Sequence, residues 1–582
     1  LVKTTTQALA SAAADIILRQ FEAYDQNFSR ITGHAKERFL KQQWQGLQRD
    51  TMRRYRLYEE ALSECLRQLS TALHTASDDR ELWQRIRQRY DHITAAHSDR
   101  PLALTFFNSV SRRQFRTQGV REDIEFHVDR IAPHLDGELD PFLHCYEMAQ
   151  APEAALTDIL SQCELGPHLG DCQALASTLW PILAERWQHT ETDPPLSRLE
   201  ILPAVFYQHA RAYLVGRATG GGQQMPVLFA MASTDQGVVF DALLTSPAET
   251  SMIFGFTRSY CMADLAEVTR SVVFLRRLMP HKPLSELYTV LGRVKQGKTE
   301  RFRSFRQAMS SHQYTLRAAP GIRGMVMIVF WLPGLDLVFK VIRDRFDYPK
   351  SVRRVDVLDR YKLVFQHDRA GRLIDAQEYR SLVIPLARFD EAMRHELLNE
   401  AGRSVKRQGD NLLIRHCYTE RRLTPLNLYL QDADEDQARA VVRDYGQAIR
   451  DLAISNIFPG DLLLKNFGVT RHQRVIFYDY DEICLLTECR FRRLPEAPDE
   501  SLELFAEQSI SVAENDIFPE QFPIFMGLNQ QQLTWFREDH ADLMRASWWK
   551  STQERIQEQG DAGQIVPYQR AHALVETEAK KG

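Results

Sequence analysis

Neither sign of charge dominates this chain: 73 Lys and Arg stand against 77 Asp and Glu, a net charge of −4 over 582 residues. That balance excludes a protein held on nucleic acid by bulk positive charge. The eight cysteines (positions 65, 145, 163, 172, 261, 417, 484 and 489) form no Cys-x-x-Cys and no zinc-ligand spacing. His395-Glu-Leu-Leu-Asn399 lacks the second histidine that a zinc helix needs. No basic-then-apolar leader opens the sequence, so the cysteines read as reduced thiols of a cytoplasmic protein. Long apolar runs are missing too. The most apolar segment, Gly324 to Ile342, is interrupted by Pro333, Gly334, Asp336 and Lys340, and reads as two strands joined by a turn. No membrane span is expected from it. Internal repeats and low-complexity tracts are also lacking.

The composition that remains, 44% hydrophobic and 26% charged, is that of a globular protein. Its length suggests roughly three or four domain-sized units. Apolar residues at spacings of three and four (Ile17, Phe21, Tyr24 and Phe28; Tyr58, Leu62, Cys65 and Leu69) make residues 1–200 helical territory. Short apolar runs at 212–216, 226–232 and 238–244, separated by glycine-rich turns, predict a three-strand meander. Helices are expected again from about Ser259 to Leu291. The polar, basic stretch 295–312 sets a domain boundary near 310.

Beyond that boundary strands are expected at 325–330, 337–342, 381–387 and 411–418, then an amphipathic helix over 438–455. A hairpin follows, formed by Phe467–Val469 and Val475–Tyr478. The tail from about 500 reads as helical, with Trp535, Trp548 and Trp549 in its core. The fold class is therefore α+β: a mainly helical domain over 1–310, then a bilobal, protein-kinase-like domain over 311–582.

The chemistry lies in the second half. Ala319-Pro-Gly-Ile-Arg-Gly-Met325 contains two glycines, Gly321 and Gly324, that let backbone N–H groups approach phosphates. Lys340 sits inside an apolar strand, where an ammonium needs an anionic partner, either nucleotide phosphates or a structural carboxylate. Asp461 follows the amphipathic helix on a Pro-Gly turn, with Asn466 five positions on and Lys465 between them. Asp479 ends an apolar strand, and Asp481 adds a second carboxylate. Loop, lysine, Asp-x4-Asn and strand-end aspartate, in this order, are the parts of a kinase-like phosphoryl-transfer site. Here Asp461 would orient or deprotonate the attacking hydroxyl, while Asn466 and Asp479 hold Mg²⁺. Lys465 would add positive charge at the transferring group.

Departures from the common kinase pattern are equally informative. Pro459-Gly460 stands where His-Arg usually precedes the catalytic aspartate, and Asp-Tyr-Asp where Asp-Phe-Gly is usual. No Ala-Pro-Glu follows, so activation-loop phosphorylation is not the expected control. Two other patterns compete. Gly292-Arg-Val-Lys-Gln-Gly-Lys-Thr299 matches a Walker A loop, although Leu284–Leu291 before it fits a helix better than the required strand. Cys484 and Arg490 have the spacing of a cysteine phosphatase, with no glycine between them to cradle phosphate.

At Ala319–Met325, Phe339–Ile342, His367–Asp375, Ile414–His416, Glu420–Arg422, Asn456–Thr470 and Phe477–Cys484 the chain resembles the bacterial isocitrate dehydrogenase kinase/phosphatase family. Phe106–Val110 and Phe254–Tyr260 extend the resemblance over nearly the whole chain. It implies an enzyme that phosphorylates a serine of isocitrate dehydrogenase with ATP, inactivating it, and also removes that phosphate. The balance would direct isocitrate between the tricarboxylic acid cycle and the glyoxylate bypass. One nucleotide site would serve both reactions, the phosphatase supported by ATP or ADP with Mg²⁺. AMP would act as an effector of the helical regulatory domain.

By position, the resemblance assigns Ala319, Pro320, Gly321, Ile322, Arg323, Gly324, Met325 and Lys340 to ATP, and Asp461 to catalysis. It adds Asp375 as a further active-site aspartate, which the residues alone present as a polar loop position. Asp375 and Asp481 would help place a hydrolytic water, and the stretch 361–371 would engage the substrate protein. A homodimer stays open; nucleic-acid and membrane partners are not expected. The alternatives are a P-loop NTPase using Lys298 and a nucleotide-sensing, pseudokinase-like interaction protein.

Overall fold

The computed structural model describes residues 2–126, 142–188, 194–255, 261–310, 314–346, 352–367, 371–493 and 515–559, with single positions at 513, 563, 565 and 568. Residues 256–260 and 368–370, within two of the motifs above, and the tail's beginning at 500–512 lie outside the described residues. The chain divides into two compact units, residues 1–310 joined by Tyr568, and residues 311–565.

In the first unit the helices Val2–Thr32 and Trp44–Leu73 pack together, with Arg80–Ile93 and Arg100–Gln114 against them. The three-and-four spacing explains the pairing. Phe21, Tyr24 and Phe28 share a core with Tyr58, Leu62, Leu69 and Phe106. Tyr24 stacks on Phe106 and meets Tyr58 edge-on. Asp79 starts the third helix by accepting from the backbone N–H groups of Glu81 and Leu82.

The meander is larger than expected. It is a five-stranded antiparallel sheet, in the order β1 (His144–Glu147), β2 (Arg198–Gln208), β3 (Arg211–Gly220), β4 (Gln223–Thr234) and β5 (Gly237–Leu244). β2 escaped the sequence reading because its register shifts between Ile201 and Val205, which destroys the two-residue alternation. Gly221 and Gly222 both have positive φ, and so form the two-residue turn that joins β3 to β4. Helices resume earlier than Ser259, with Pro247–Ile253, and continue with Val268–Leu278 and Leu284–Val290. The basic stretch taken as boundary is itself the helix Val294–Ser310.

In the second unit a small lobe is built on β6 (Arg317–Ala318), β7 (Met327–Trp331), β8 (Leu337–Ile342), β9 (Gln377–Pro385), β10 (Val405–Gln408) and β11 (Asn411–Arg421). β8 lies between β7 and β11 and is buried along its whole length; β9 pairs with the other side of β11. The expected strands are all present, with ends displaced by a few residues. β6 and β10 are too short to leave a periodic signature.

The large lobe follows. After β12 (Thr424–Pro425) the helix Glu435–Ile454 is capped by Asp434, and buries Val441, Val442, Tyr445, Ala448, Ile449 and Leu452. It leads through β13 (Ile457–Phe458) to the hairpin β14 (Phe467–Val469) and β15 (Val475–Phe477), and then to β16 (Cys484–Leu485) against β13. Trp535 and Trp549 are buried as expected. Trp548 is half-buried, packed against this core with the Arg450 guanidinium over its ring.

One buried cation fixes β15. Arg372, 3% exposed, binds Asp451 at 2.8 Å, Asp444 at 2.7 Å and the Val475 carbonyl at 3.0 Å. Both carboxylates sit on the long helix, so strand and helix are locked through one guanidinium. Arg372 holds the Asp444 carboxyl below its usual range against the opposing effect of burial.

Candidate active site

The small lobe and the helical lobe of the second unit enclose a cleft of about 1100 Å³. Pockets for small molecules span roughly 300–1,000 Å³, so this cleft is large enough for a nucleotide-sized ligand.

Residues 319–325 form its upper edge. The Ala319 N–H donates to the Val329 carbonyl at 3.0 Å, and Gly321 takes φ +117°, a conformation that favours glycine. At Gly324 a Cβ would fall 2.6 Å from the Met327 carbonyl oxygen, so only glycine fits. The loop is tied down by charge. Arg323 pairs with Glu396 (3.0 Å) and Glu400 (2.6 Å), while Arg343 binds the same two carboxylates and donates to the Gly324 carbonyl at 3.0 Å. These arginine–glutamate contacts were not read from the sequence. They join side chains some sixty residues apart that no periodicity links.

Lys340 answers the question its burial raised. Its Nζ lies 2.7 Å from Glu420 Oε2 and donates to the Tyr478 carbonyl, also at 2.7 Å. Lysine and glutamate are 7% and 1% exposed, so the pair is desolvated. The geometry follows from register: Lys340 on β8 stands opposite Tyr418 on β11, and Glu420 is two residues further along the same face. Burial pushes the Glu420 carboxyl up, Lys340 pulls it down, and nearby Asp479 pushes it up again. Tyr361 stacks on Tyr418 and donates to Glu420 at 3.4 Å. Glu420 was not singled out from the sequence as that partner: the expected strand ended at 418, and Thr419 and Arg421 on either side give it no apolar flank to mark it.

The turn that carries Asp461 comes from the end of β13. Gly460 has φ +91°, and a Cβ there would fall 2.5 Å from Glu482 Cβ, so the chain passes close under the 482 backbone before Asp461. Asp461 Oδ1 accepts from the Leu463 N–H at 3.2 Å and from the Asn466 side-chain amide. Asn466 is thereby bound to the aspartate it was expected to accompany. Tyr478 donates to the Lys465 carbonyl, joining this turn to the end of β15. Asp479 follows immediately and Asp481 two residues later, both half-buried.

The cleft wall therefore contains Ala319 to Met325, Lys340, Asp461, Lys465, Asn466, Asp479 and Asp481. At the remaining expected position the wall takes Ile374 rather than Asp375. The Asp375 carboxylate accepts from the Gln377 amide at 2.9 Å. Leu373 forms an isolated parallel bridge with Phe477, each two residues before an aspartate, Asp375 and Asp479. Residues 361–367 belong to the helix Arg354–His367, whose Tyr361 reaches the cleft.

The donor set fits Mg²⁺. Asp479, Asp481 and Asn466 offer hard oxygen ligands, and Mg²⁺ characteristically takes one or two carboxylates and completes its shell with phosphate and water. Among the described residues no group of three His, Cys, Asp or Glu forms a cage supplied by protein alone. An ion at this site would share its ligands with a nucleotide.

The competing patterns find no such support. The Walker-like segment is preceded by a helix, Leu284–Val290, and its Gly297 lies inside the next helix, Val294–Ser310. A Cβ on Gly297 would fall 2.5 Å from the Ser285 carbonyl oxygen, so this glycine serves helix packing. Lys298→Ala is accordingly expected to leave ATP turnover unchanged, measured as phosphate release. Between Cys484 and Arg490 lies the turn Leu486–Glu488, and Arg490 faces Asp516 at 3.6 Å. Among the described residues no helix is long and apolar enough to cross a membrane.

Comparison with known proteins agrees with this geometry. Residues 14–313 match the family described as isocitrate dehydrogenase kinase/phosphatase (AceK), regulatory domain. Residues 314–570 match the corresponding AceK kinase domain. A protein named isocitrate dehydrogenase kinase/phosphatase from Xanthomonas axonopodis pv. citri (strain 306) is 43% identical over 575 residues, covering 97% of this chain and 98% of its own. Proteins of the same name from Anaeromyxobacter sp. (strain Fw109-5) and Anaeromyxobacter dehalogenans (strain 2CP-C) are 40% and 41% identical, with the same coverage.

Proposed function

This chain belongs to the isocitrate dehydrogenase kinase/phosphatase family, and from that we propose that one cleft both phosphorylates a serine of isocitrate dehydrogenase and removes the phosphate. The observation that carries this reading is the convergence of Lys340, Asp461, Asn466 and Asp479 on a single cleft. A P-loop NTPase and a non-catalytic sensor are not favoured. The first lacks its strand, and the second would not need Asp461 held by Asn466.

In the forward direction the loop 319–325 would cover the nucleotide phosphates through backbone N–H groups. Lys340 has three ammonium protons; Glu420 and the Tyr478 carbonyl take two, which leaves one for a phosphate oxygen. Bound through Asn466 and Asp479, Mg²⁺ would neutralise charge on the transferring phosphoryl group. Asp461 would accept the proton of the serine hydroxyl as that oxygen attacks the γ-phosphorus and ADP leaves. Lys465 would stabilise the equatorial oxygens. In the phosphatase reaction a water positioned by Asp375 and Asp481 would attack the phosphorus of phosphoserine, the P–O bond to serine would break, and the serine oxygen would take up a proton as inorganic phosphate leaves. AMP acting on the helical unit and control of flux into the glyoxylate bypass belong to the same proposal.

The test uses purified protein, isocitrate dehydrogenase and radiolabelled ATP, followed by an unlabelled chase with ADP and AMP. Label should enter a dehydrogenase serine and then leave as inorganic phosphate. Label that enters and never leaves would overturn the phosphatase half. Failure of any label to enter would overturn the kinase half.

A further inference from the structure

We propose that Cys484 and Cys489 are a reversible oxidation site on the catalytic cleft, joined as a disulfide by peroxide in a step that suppresses both phosphoryl-transfer directions. The inference rests on the cleft being the catalytic site. Its starting observation is that the two sulfurs lie 3.5 Å apart, thiol hydrogen-bonded to thiol, and that both residues line the cleft. Each is half-buried, so a small oxidant reaches them from the cleft.

The pairing is held by the surrounding fold. Leu485 to Glu488 form a tight turn pinned from two sides. The Leu486 and Thr487 N–H groups each donate to Asn456, to its carbonyl and its side-chain oxygen, at 3.1 Å. The Gln553 amide donates to the carbonyls of Leu486 and Cys489 at 2.7 and 2.8 Å. The turn therefore keeps the two sulfurs adjacent in the reduced protein.

Their environments divide the roles. The hydrogen bond from Cys489 lowers the Cys484 thiol, while the same bond and burial raise Cys489. Elsewhere burial pushes Cys65 and Cys261 up to about 12, which keeps those thiols protonated and inert. Cys484 is the sulfur that attacks. Its thiolate displaces hydroxide from hydrogen peroxide, giving a sulfenic acid and, after protonation, water. Cys489 then attacks that sulfur, the S–O bond breaks, and a second water leaves as the disulfide forms. Two thiols are oxidised by two electrons and one peroxide is reduced; a thiol reductant reverses the outcome by exchange.

The effect on catalysis follows from where Cys484 sits. It is the β16 partner of Phe458, and three residues after Phe458 comes Asp461. A bonded pair requires the sulfurs to close from 3.5 Å to about 2.0 Å. The strand that closes is the one supporting the Gly460–Asp461 turn, which already touches Glu482 with no space to spare. A displacement of about 1 Å at a reacting group costs about 100-fold in rate.

The experiment treats the full-length protein with hydrogen peroxide, blocks free thiols, and maps peptides with and without reduction. Kinase and phosphatase rates are measured on the same samples. A Cys484–Cys489 crosslink is expected, with both rates falling at least about tenfold and returning on thiol reduction. Cys484→Ser and Cys489→Ser, each compared with its own untreated rate, should form no crosslink and lose no activity. Absence of the crosslink in the unsubstituted protein, which requires no variant to fold, would overturn the proposal. So would a crosslink that leaves both rates unchanged, or equal losses in the parent and both variants. An untreated protein that transfers no phosphate would instead overturn the reading of the cleft, while the peptide map still decides whether the disulfide forms.

Discussion

Asp461→Asn lowers phosphate transfer to isocitrate dehydrogenase by about 10²- to 10⁴-fold, the range for loss of a positioned general base, and leaves the KM for ATP unchanged. The substitution keeps the shape of the side chain, and asparagine can still accept from the Leu463 N–H that now binds Asp461 Oδ1. What it removes is the charge and the proton-accepting oxygen. On the proposed reading ATP contacts fall to the loop at 319–325 and to Lys340, which line the same cleft. A fall in kcat without a change in nucleotide KM therefore marks a group used in the transition state. Because one turn is expected to serve both directions, phosphatase activity should fall alongside. Wild-type phosphatase in this variant would separate the two sites. An unchanged kinase rate would remove Asp461 from catalysis altogether.

Lys340→Met abolishes ATP binding and destabilises the catalytic unit by about 3–5 kcal/mol near neutral pH, the cost of orphaning a buried ionic partner. Glu420, 1% exposed, has Lys340 as the main influence lowering its carboxyl. With the ammonium gone, that carboxyl rises further above its unfolded value. Between the two values the folded state holds a proton the unfolded state has released, so stability falls as pH rises. The deficit of Lys340→Met relative to the parent should thus grow from pH 5 to pH 8 in denaturant titrations. A double variant, Lys340→Met with Glu420→Gln, should regain most of the stability and none of the ATP binding. A pH-independent deficit would mean that Glu420 is not the group left unpaired.

These two predictions draw on different kinds of legibility. Asp461 and Asn466 were readable because five positions in one turn carry both residues, and local spacing survives folding. Lys340 was readable as an anomaly, a cation in an apolar strand, although the anomaly did not name its partner. Glu420 lies eighty residues downstream, and only the pairing of β8 with β11 brings it to 2.7 Å. The clamp of Arg343 on Glu396 and Glu400 was hidden for the same reason. Strand β2 was hidden for another: its bulge removes the alternation by which strands are recognised. The long helix Glu435–Ile454 was plain, since its apolar stripe repeats over about four turns and Asp434 marks its start.

The origin of Glu420 has a consequence for control. In many protein kinases the carboxylate that holds the nucleotide lysine rides on a mobile helix, and swinging that helix away disarms the enzyme. Here both members belong to adjacent strands of one hydrogen-bonded sheet. Moving their backbones apart would mean breaking the sheet, so the rigid-body swing of a helix is not available here. A switch between making and removing phosphate is therefore expected to act on the floor of the cleft or on access to it rather than by withdrawing Glu420 on a moving helix.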